Sequence, residues 1–439
     1  MLGRGAAGGC GTPTVRPVTT DLATDAPTGF DISRVRALFP ALDSGTAFLD
    51  GAAGTQTPRS VIQAIGDAYA GGLSNSGGAF TASRRSDAIV AAARQAVADL
   101  VGGVPDGVVF GPSSTALTYR FAAPISTSWE PGDNIVLSRL DHDADVRPWV
   151  QAAERAGAQV RWLEPSRPSL ELQVEQAALV IDSRTRLVAV TAASNVVGTR
   201  PDLSPITALA HGVGALTWVD GVHATPHTPV DVVRWGADFY ATSAYKWCGP
   251  HVAAVVAAPV LLETLHPDKL ASSSDAVPDR FELGTLPFAD LAGVTAAVDH
   301  MASFEDLAAG GPREVVPGVP VLGREKLRSS MAAVEAYESD LFARLLDGLA
   351  RMPRVRTIGS AASRTPTAWF TVAGHSPSEV SAAAAAADVA VWDGHNYAWE
   401  LAGVLGIRES GSAVRASVVH YTDADDVDRL LEVLHTISR

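Results

Sequence analysis

The segment Phe239-Tyr240-Ala241-Thr242-Ser243-Ala244-Tyr245-Lys246-Trp247 runs from an apolar, strand-like stretch straight into a polar turn. A second segment, Trp218-Val219-Asp220-Gly221-Val222-His223, does the same one crossover's length earlier. Short apolar runs that end in polar turns are the pattern of a parallel sheet whose strands aim their carboxyl ends at a ligand. A lysine flanked by hydroxyl side chains at such an end suits two tasks together. Its amine can form a Schiff base, and Ser243 and Tyr245 can hold a phosphate. Taken alone, the segment equally suits a surface lysine after a strand.

Outward from these two segments the same rhythm repeats. Residues 107–110, 134–138, 159–163, 187–191, 215–219, 239–242 and 253–256 are short, mostly β-branched and apolar on both faces. Helical spacing fills 60–70, 86–101 (with Ser86-Asp87 as a cap) and 146–156. Such alternation predicts an α/β architecture with a mostly parallel central sheet covered on both sides. Pro and Gly cluster at 310–320. Beyond them a helix over 327–349, strands over 368–372 and 413–421, and a helix over 425–434 suggest a smaller α+β domain. Residues 381–391 read as a helix running into a strand. The division expected is a flexible tail over 1–29, an N-terminal segment over 30–59, a large domain over 60–309 and a small domain over 310–439.

Composition narrows the function classes. The chain has 439 residues, 47% hydrophobic and 19% charged, with a formal net charge of −14. That length suggests about two domains, and the apolar fraction excludes wholesale disorder. An acidic chain without basic runs argues against a nucleic-acid partner. No apolar stretch approaches the ~20 residues of a membrane span. Residues 1–29 lack the apolar run of a secretory signal, so a cytoplasmic protein is expected. The two cysteines, Cys10 and Cys248, supply neither a disulfide framework nor a thiolate cluster.

The Asp220 segment and two further ones carry chemistry. Asp220 alone reads as a turn or cap residue, but a buried aspartate at a strand end needs a partner. A pyridinium nitrogen is one, and pyridoxal phosphate enzymes set an Asp there beside a Schiff-base Lys. Gly111-Pro112-Ser113-Ser114-Thr115 follows a strand and opens a helix, which suits either a phosphate at the helix amides or a plain cap. Leu140-Asp141-His142-Asp143-Ala144-Asp145 has a His among acids. Without a spaced second His or Cys, a stacked, proton-moving imidazole fits better than a metal ligand, and no metal is expected.

Leu49-Asp50-Gly51-Ala52-Ala53, the His142 segment ending Arg147-Pro148-Trp149, Ser194-Asn195-Val196-Val197-Gly198-Thr199, the Asp220 turn and the Lys246 turn stand in one order. That order resembles the class V aminotransferase family of pyridoxal 5'-phosphate (PLP) enzymes, near the cysteine desulfurases, over almost the whole chain. The resemblance implies PLP fold type I and a homodimer. It implies Lys246 as the Schiff-base lysine, Asp220 as partner of the pyridine nitrogen and His142 as the ring-stacking, catalytic His. His223 stands where the family often has a Gln near the cofactor's 3′ oxygen, and Asn195 matches the Asn near that oxygen and the substrate carboxylate. Ser114, Thr115, Ser243 and Tyr245 match the phosphate cup, and Thr285 a residue reaching the neighbouring subunit's phosphate. Arg415 matches the clamp on the substrate α-carboxylate, and Ala52 lies in the substrate-facing segment.

The departures bear on the reaction. The desulfurase loop with its catalytic Cys corresponds to Val391-Trp392-Asp393-Gly394-His395-Asn396-Tyr397-Ala398-Trp399. Tyr397 takes the Cys position and Trp392 that of a second carboxylate-binding Arg. A phenol carries no persulfide. The expectation is therefore C–S β-elimination from a cysteine S-conjugate, possible in a natural-product pathway, with Trp392, Tyr397 and Trp399 lining a pocket for its substituent. Decarboxylation with oxidative deamination, epimerisation and transamination are the alternatives open to the same machinery. A non-catalytic PLP-binding protein is the other class, and the joint presence of Lys246, Asp220, His142 and Arg415 argues against it.

Overall fold

The computed structural model describes residues 31–304 and 323–438. The expected tail over 1–29 and the proposed boundary at 310 lie outside these residues.

A seven-stranded sheet forms the centre, in the order β2-β8-β7-β6-β5-β3-β4. Its strands are β2 (Val108–Gly111), β3 (Asn134–Ser138), β4 (Gln159–Leu163), β5 (Thr185–Thr191), β6 (Leu216–Asp220), β7 (Phe239–Ser243) and β8 (Ala253–Ala257). Only β8 runs antiparallel to its neighbours; the remaining pairings are parallel. Strand residues alternate between two apolar clusters. Ile135, Leu137, Leu187, Ala189 and Val255 face one cluster, and Val136, Val188, Val190, Ala254 and Val256 face the other. Both faces are thus covered, which is why these strands read as continuous apolar runs.

A second, antiparallel sheet has the order β12-β13-β10-β9, with β9 (Val355–Ile358), β10 (Thr367–Val372), β12 (Trp392–Gly394) and β13 (Ala413–Ser417). Its own core joins Phe370, Val414 and Ala416 to Leu345, Leu430 and Leu434 of the flanking helices. The N-terminal segment supplies β1 (Ala47–Phe48), which pairs in parallel with β11 (Val389–Ala390). Ser417 locks this segment in place. Its backbone N–H donates to Leu49 O at 2.8 Å, and its Oγ accepts from Ala52 N at 2.7 Å. The approach is close enough that a Cβ on Gly51 would sit 2.3 Å from Val419 Cγ1.

Two local expectations change. The helix expected from a Ser86 cap begins at Thr81; Ser86 is buried inside it, with Oγ donating to Ser74 O at 2.6 Å. The hydroxyl that suggested a cap instead ties the preceding loop to the helix. The strand expected over 413–421 ends at Ser417. Val418–Tyr421 turns inward and is buried, so its apolar character reflects core packing and not pairing.

Candidate active site

The carboxyl ends of the parallel strands converge on one cavity of about 550 Å³. Ser113, Ser114 and Thr115 enter it after β2, His142 after β3, Asn195 after β5, Asp220 at the end of β6 with His223 after it, and Ser243 at the end of β7 with Tyr245 and Lys246 after it. The second sheet contributes Arg415 and Trp392, and the N-terminal segment contributes Ala52 and Ala53. The location is the one ligands favour in α/β sheets.

Lys246 is buried in the short turn that follows β7, and its Nζ donates to the Ala52 carbonyl. Burial pulls its ammonium down to about 7, the Arg415 charge adds to this, and Asp220 and Asp50 oppose it. A lysine so placed is available as a free amine near neutral pH. Asp220 ends β6, and its Oδ1 accepts from Val222 N at 2.9 Å. Burial raises its carboxyl to about 6, against the Val222 hydrogen bond and the Lys246 charge. A buried acid this close to its titration point favours a cationic partner.

His142 caps the turn that follows it: Nδ1 accepts from Ala144 N at 3.0 Å, leaving Nε2 to carry the proton of the neutral ring. Burial holds it down to about 3, with the Lys246 and Arg415 charges contributing. It therefore presents a neutral, flat face, stacked at 5.0 Å on Tyr397. Beneath it lie Asp141 and Asp145. Burial raises Asp141 to about 8, and burial with repulsion from Asp141 and Asp220 raises Asp145 as well. The acids that made this segment resemble a metal site are thus divided: two are buried, and Asp143 pairs with Arg147 at 2.9 Å on the outside.

At one end of the cavity stands the N-terminus of the Ser114–Ile125 helix. Ser113 is its cap, its Oγ accepting from Ala116 N at 3.1 Å. The cap reading of this segment is met by Ser113, and Ser114 and Thr115 line the cavity beside it. Tyr245 closes this end, stacked on His251 at 4.9 Å. Arg415 is buried on β13 and donates from one terminal nitrogen to Asn195 O at 3.1 Å. Asn195 in turn donates to Asn396 O at 2.8 Å. Arg415 Nε and Asn195 Oδ1 are buried without a protein partner. His223 Nε2 lies 3.0 Å from Thr367 Oγ1, bridging the two sheets.

Two expected residues lie elsewhere. Thr285 is exposed and outside its own chain's cavity. Trp399 does not line the cavity; it stacks under the Arg408 guanidinium at 4.0 Å. Asn396 and Tyr397 both have positive φ, and this reversal turns Tyr397 to the mouth and Trp399 away. Ser113, Asp393, His395 and Asn396 line the cavity without having been singled out. For Ser113 the signal was its place just before Ser114; for the other three it was membership of the quoted 391–399 segment. Among the described residues no cysteine lines the cavity; Cys248 is buried behind the lysine turn, 3.5 Å from His420 Nε2.

A family model, aminotransferase class-V, matches residues 47–309 and 326–430. The chain is 33% identical to an uncharacterized protein of Mycobacterium tuberculosis, over 93% of this chain and 99% of the relative. It is 30% identical to a cysteine desulfurase of Dickeya dadantii, over 93% and 97% of the two chains. Among solved structures it is similar to the Escherichia coli cysteine desulfurase CsdA, with a TM-score of 0.79, 26% identity, and 92% and 98% of the chains covered.

Proposed function

The chain belongs to the class V aminotransferase family of PLP-dependent enzymes, and from that premise we propose that it cleaves the C–S bond of a cysteine S-conjugate by β-elimination. The observation that carries the reading is the mouth of the cavity, where Tyr397 and Trp392 stand and, among the described residues, no thiol does.

The residues present fit the cofactor. A buried, half-neutral amine, a buried acid seeking a cation and a helix N-terminus with free hydroxyls line one cavity. Lys246 would hold the cofactor aldehyde, Asp220 its ring nitrogen, His142 one ring face, His223 and Asn195 its ring oxygen, and Ser114, Thr115, Ser243 and Tyr245 its phosphate. When bound, the cofactor supplies the electron sink for the bond broken at Cα.

The protein's own groups supply the rest. Arg415 binds the α-carboxylate through the donors that its fork leaves free, with Asn195 Oδ1 and Ala52 beside it. The Lys246 amine takes the Cα proton. The C–S electron pair leaves with sulfur, which gains a proton and departs as a thiol. The remaining three-carbon unit takes up water and ends as pyruvate and ammonia. Trp392 and Tyr397 offer aromatic surface to the sulfur substituent. Because no cysteine of the described residues lines the cavity, a persulfide product is not expected.

The family's dimeric habit and the exposure of Thr285 support a homodimer in which Thr285 meets the neighbouring subunit's phosphate. No described helix is long and apolar enough to cross a membrane; a cytoplasmic setting is part of the proposal, as is the division at 60 and 310. A mass-spectrometric screen of S-alkyl and S-aryl cysteines and plain amino acids, scoring thiol, pyruvate, aldehyde and epimer separately, tests the reading. Thiol with pyruvate supports it; aldehyde, epimer or no turnover refutes it.

A further inference from the structure

Behind the turn that carries Lys246, away from the cavity, three metal-binding side chains meet. Cys248 belongs to the turn itself, His300 to the Phe288–Met301 helix, and His420 to the segment after β13. Cys248 has a positive φ of 69°, a conformation that is costly outside glycine, and its side chain reaches His420. Its Sγ lies 3.5 Å from His420 Nε2, and the two imidazole Nε2 atoms are 3.4 Å apart. The three ligand atoms all lie within 4.8 Å of one another. All three residues are buried.

The two separations to His420 match those of a tetrahedral metal, and the Cys248 and His300 ligand atoms lie within 4.8 Å of each other. With Zn–N of about 2.0–2.1 Å and Zn–S of about 2.3 Å, tetrahedral angles place two nitrogens about 3.4 Å apart and nitrogen and sulfur about 3.6 Å apart. We propose that Cys248, His300 and His420 bind a zinc ion that fastens the Lys246 turn to the Phe288–Met301 helix and to the segment following Arg415. One thiolate and two imidazoles are a borderline-soft donor set that suits zinc and disfavours magnesium or calcium. The proposal departs from the expectation, drawn from the His142 segment, that the chain carries no metal.

The surroundings support the ion independently. His420 Nδ1 is buried and has no hydrogen-bond partner, and the buried Glu338 Oε1 lies 4.0 Å from it. Coordination through Nε2 leaves the proton on Nδ1, facing that carboxylate, which is the usual support of a metal-bound histidine. Glu338 Oε2 is held by His227 Nδ1 at 2.7 Å. Binding releases the Cys248 thiol proton to solvent. One thiolate and the Glu338 carboxylate then balance the two positive charges of the ion inside the core. The fourth position is left to a small ligand such as water.

The test uses the full-length holoenzyme, equilibrated with micromolar zinc and dialysed. Plasma mass spectrometry is expected to find about one zinc per chain, and zinc K-edge absorption one sulfur and two imidazole scatterers. Cys248→Ala and His420→Gln are expected to lose that zinc. His211→Gln, which removes a surface imidazole paired with Asp238, is expected to retain it. Should the buried variants fail to fold, the absorption spectrum of the unaltered protein decides. Zinc well below one per chain, zinc retained in full by both variants, or a spectrum without a sulfur scatterer overturns the proposal.

Discussion

Trp392 lies directly opposite Arg415 across the antiparallel pair of β12 and β13. Residues opposed in this way project to the same face of a sheet. The guanidinium is buried, whereas the indole is 53% exposed. In the proposed reading, carboxylate recognition by Arg415 and side-chain recognition by Trp392 therefore sit at adjacent depths of one cavity, the first inside and the second at its mouth.

Arg415→Lys is expected to raise KM for amino-acid substrates about 30-fold, because a point charge replaces the fork at a buried site, and a charged hydrogen bond there is worth about 2 kcal/mol. Trp392→Ala is expected to leave small S-alkyl cysteines little changed while lowering kcat/KM for S-aryl conjugates about tenfold. Steady-state kinetics on the two substrate sets separates these effects.

Lys246 predicts a stability slope. Its ammonium falls from an ordinary value of 10.5 to about 7 in the fold. Between those values the unfolded chain binds more protons than the folded one, so the cofactor-free protein gains stability as pH rises from about 7 toward 10.5, by up to about 1.4 kcal/mol per pH unit. Lys246→Met removes the slope and stabilises the cofactor-free protein at neutral pH. It also abolishes the visible chromophore of lysine-linked cofactor. Denaturant midpoints across pH and one absorption spectrum check both outcomes.

As the proposed partner of the ring nitrogen, Asp220 is expected to set how tightly a pyridinium ring is held. Its carboxyl rises to about 6, and only the ionised form attracts the ring cation. Cofactor affinity of the stripped protein is expected to fall as pH drops through about 6. In Asp220→Asn it is expected to be about 10–100-fold weaker and independent of pH over that range. Titration followed by fluorescence quenching measures it.

Gly51 tests how the N-terminal segment is seated. A Cβ there meets Val419 Cγ1 at 2.3 Å, so Gly51→Ala is expected to cost about 1–3 kcal/mol. Thermal unfolding of the cofactor-free protein reads this without involving catalysis.

The strands and the order of the site segments were legible because each buried strand is a short apolar run ending in a functional turn, a local pattern. Asp220, Lys246 and His142 could be named from those turns and Arg415 from the family resemblance, and all four line one cavity. The orientation of the 391–399 segment was not legible, since it depends on positive φ at two successive residues, Asn396 and Tyr397; asparagine tolerates that conformation, but tyrosine gives no sign of it. Nor was the meeting of Cys248, His300 and His420: 120 residues separate the two histidines, and only the packing of the second sheet against the lysine turn brings them together. Ser86 shows the opposite error, a local capping pattern overridden by the loop that the hydroxyl holds.

The most direct measurement is product stoichiometry. Purified holoenzyme with an S-aryl cysteine is expected to release thiol, pyruvate and ammonia in equal amounts, and with free cysteine to form no protein-bound persulfide. Alanine with persulfide from cysteine, or turnover of the conjugate to an aldehyde or its epimer without thiol, would contradict the account.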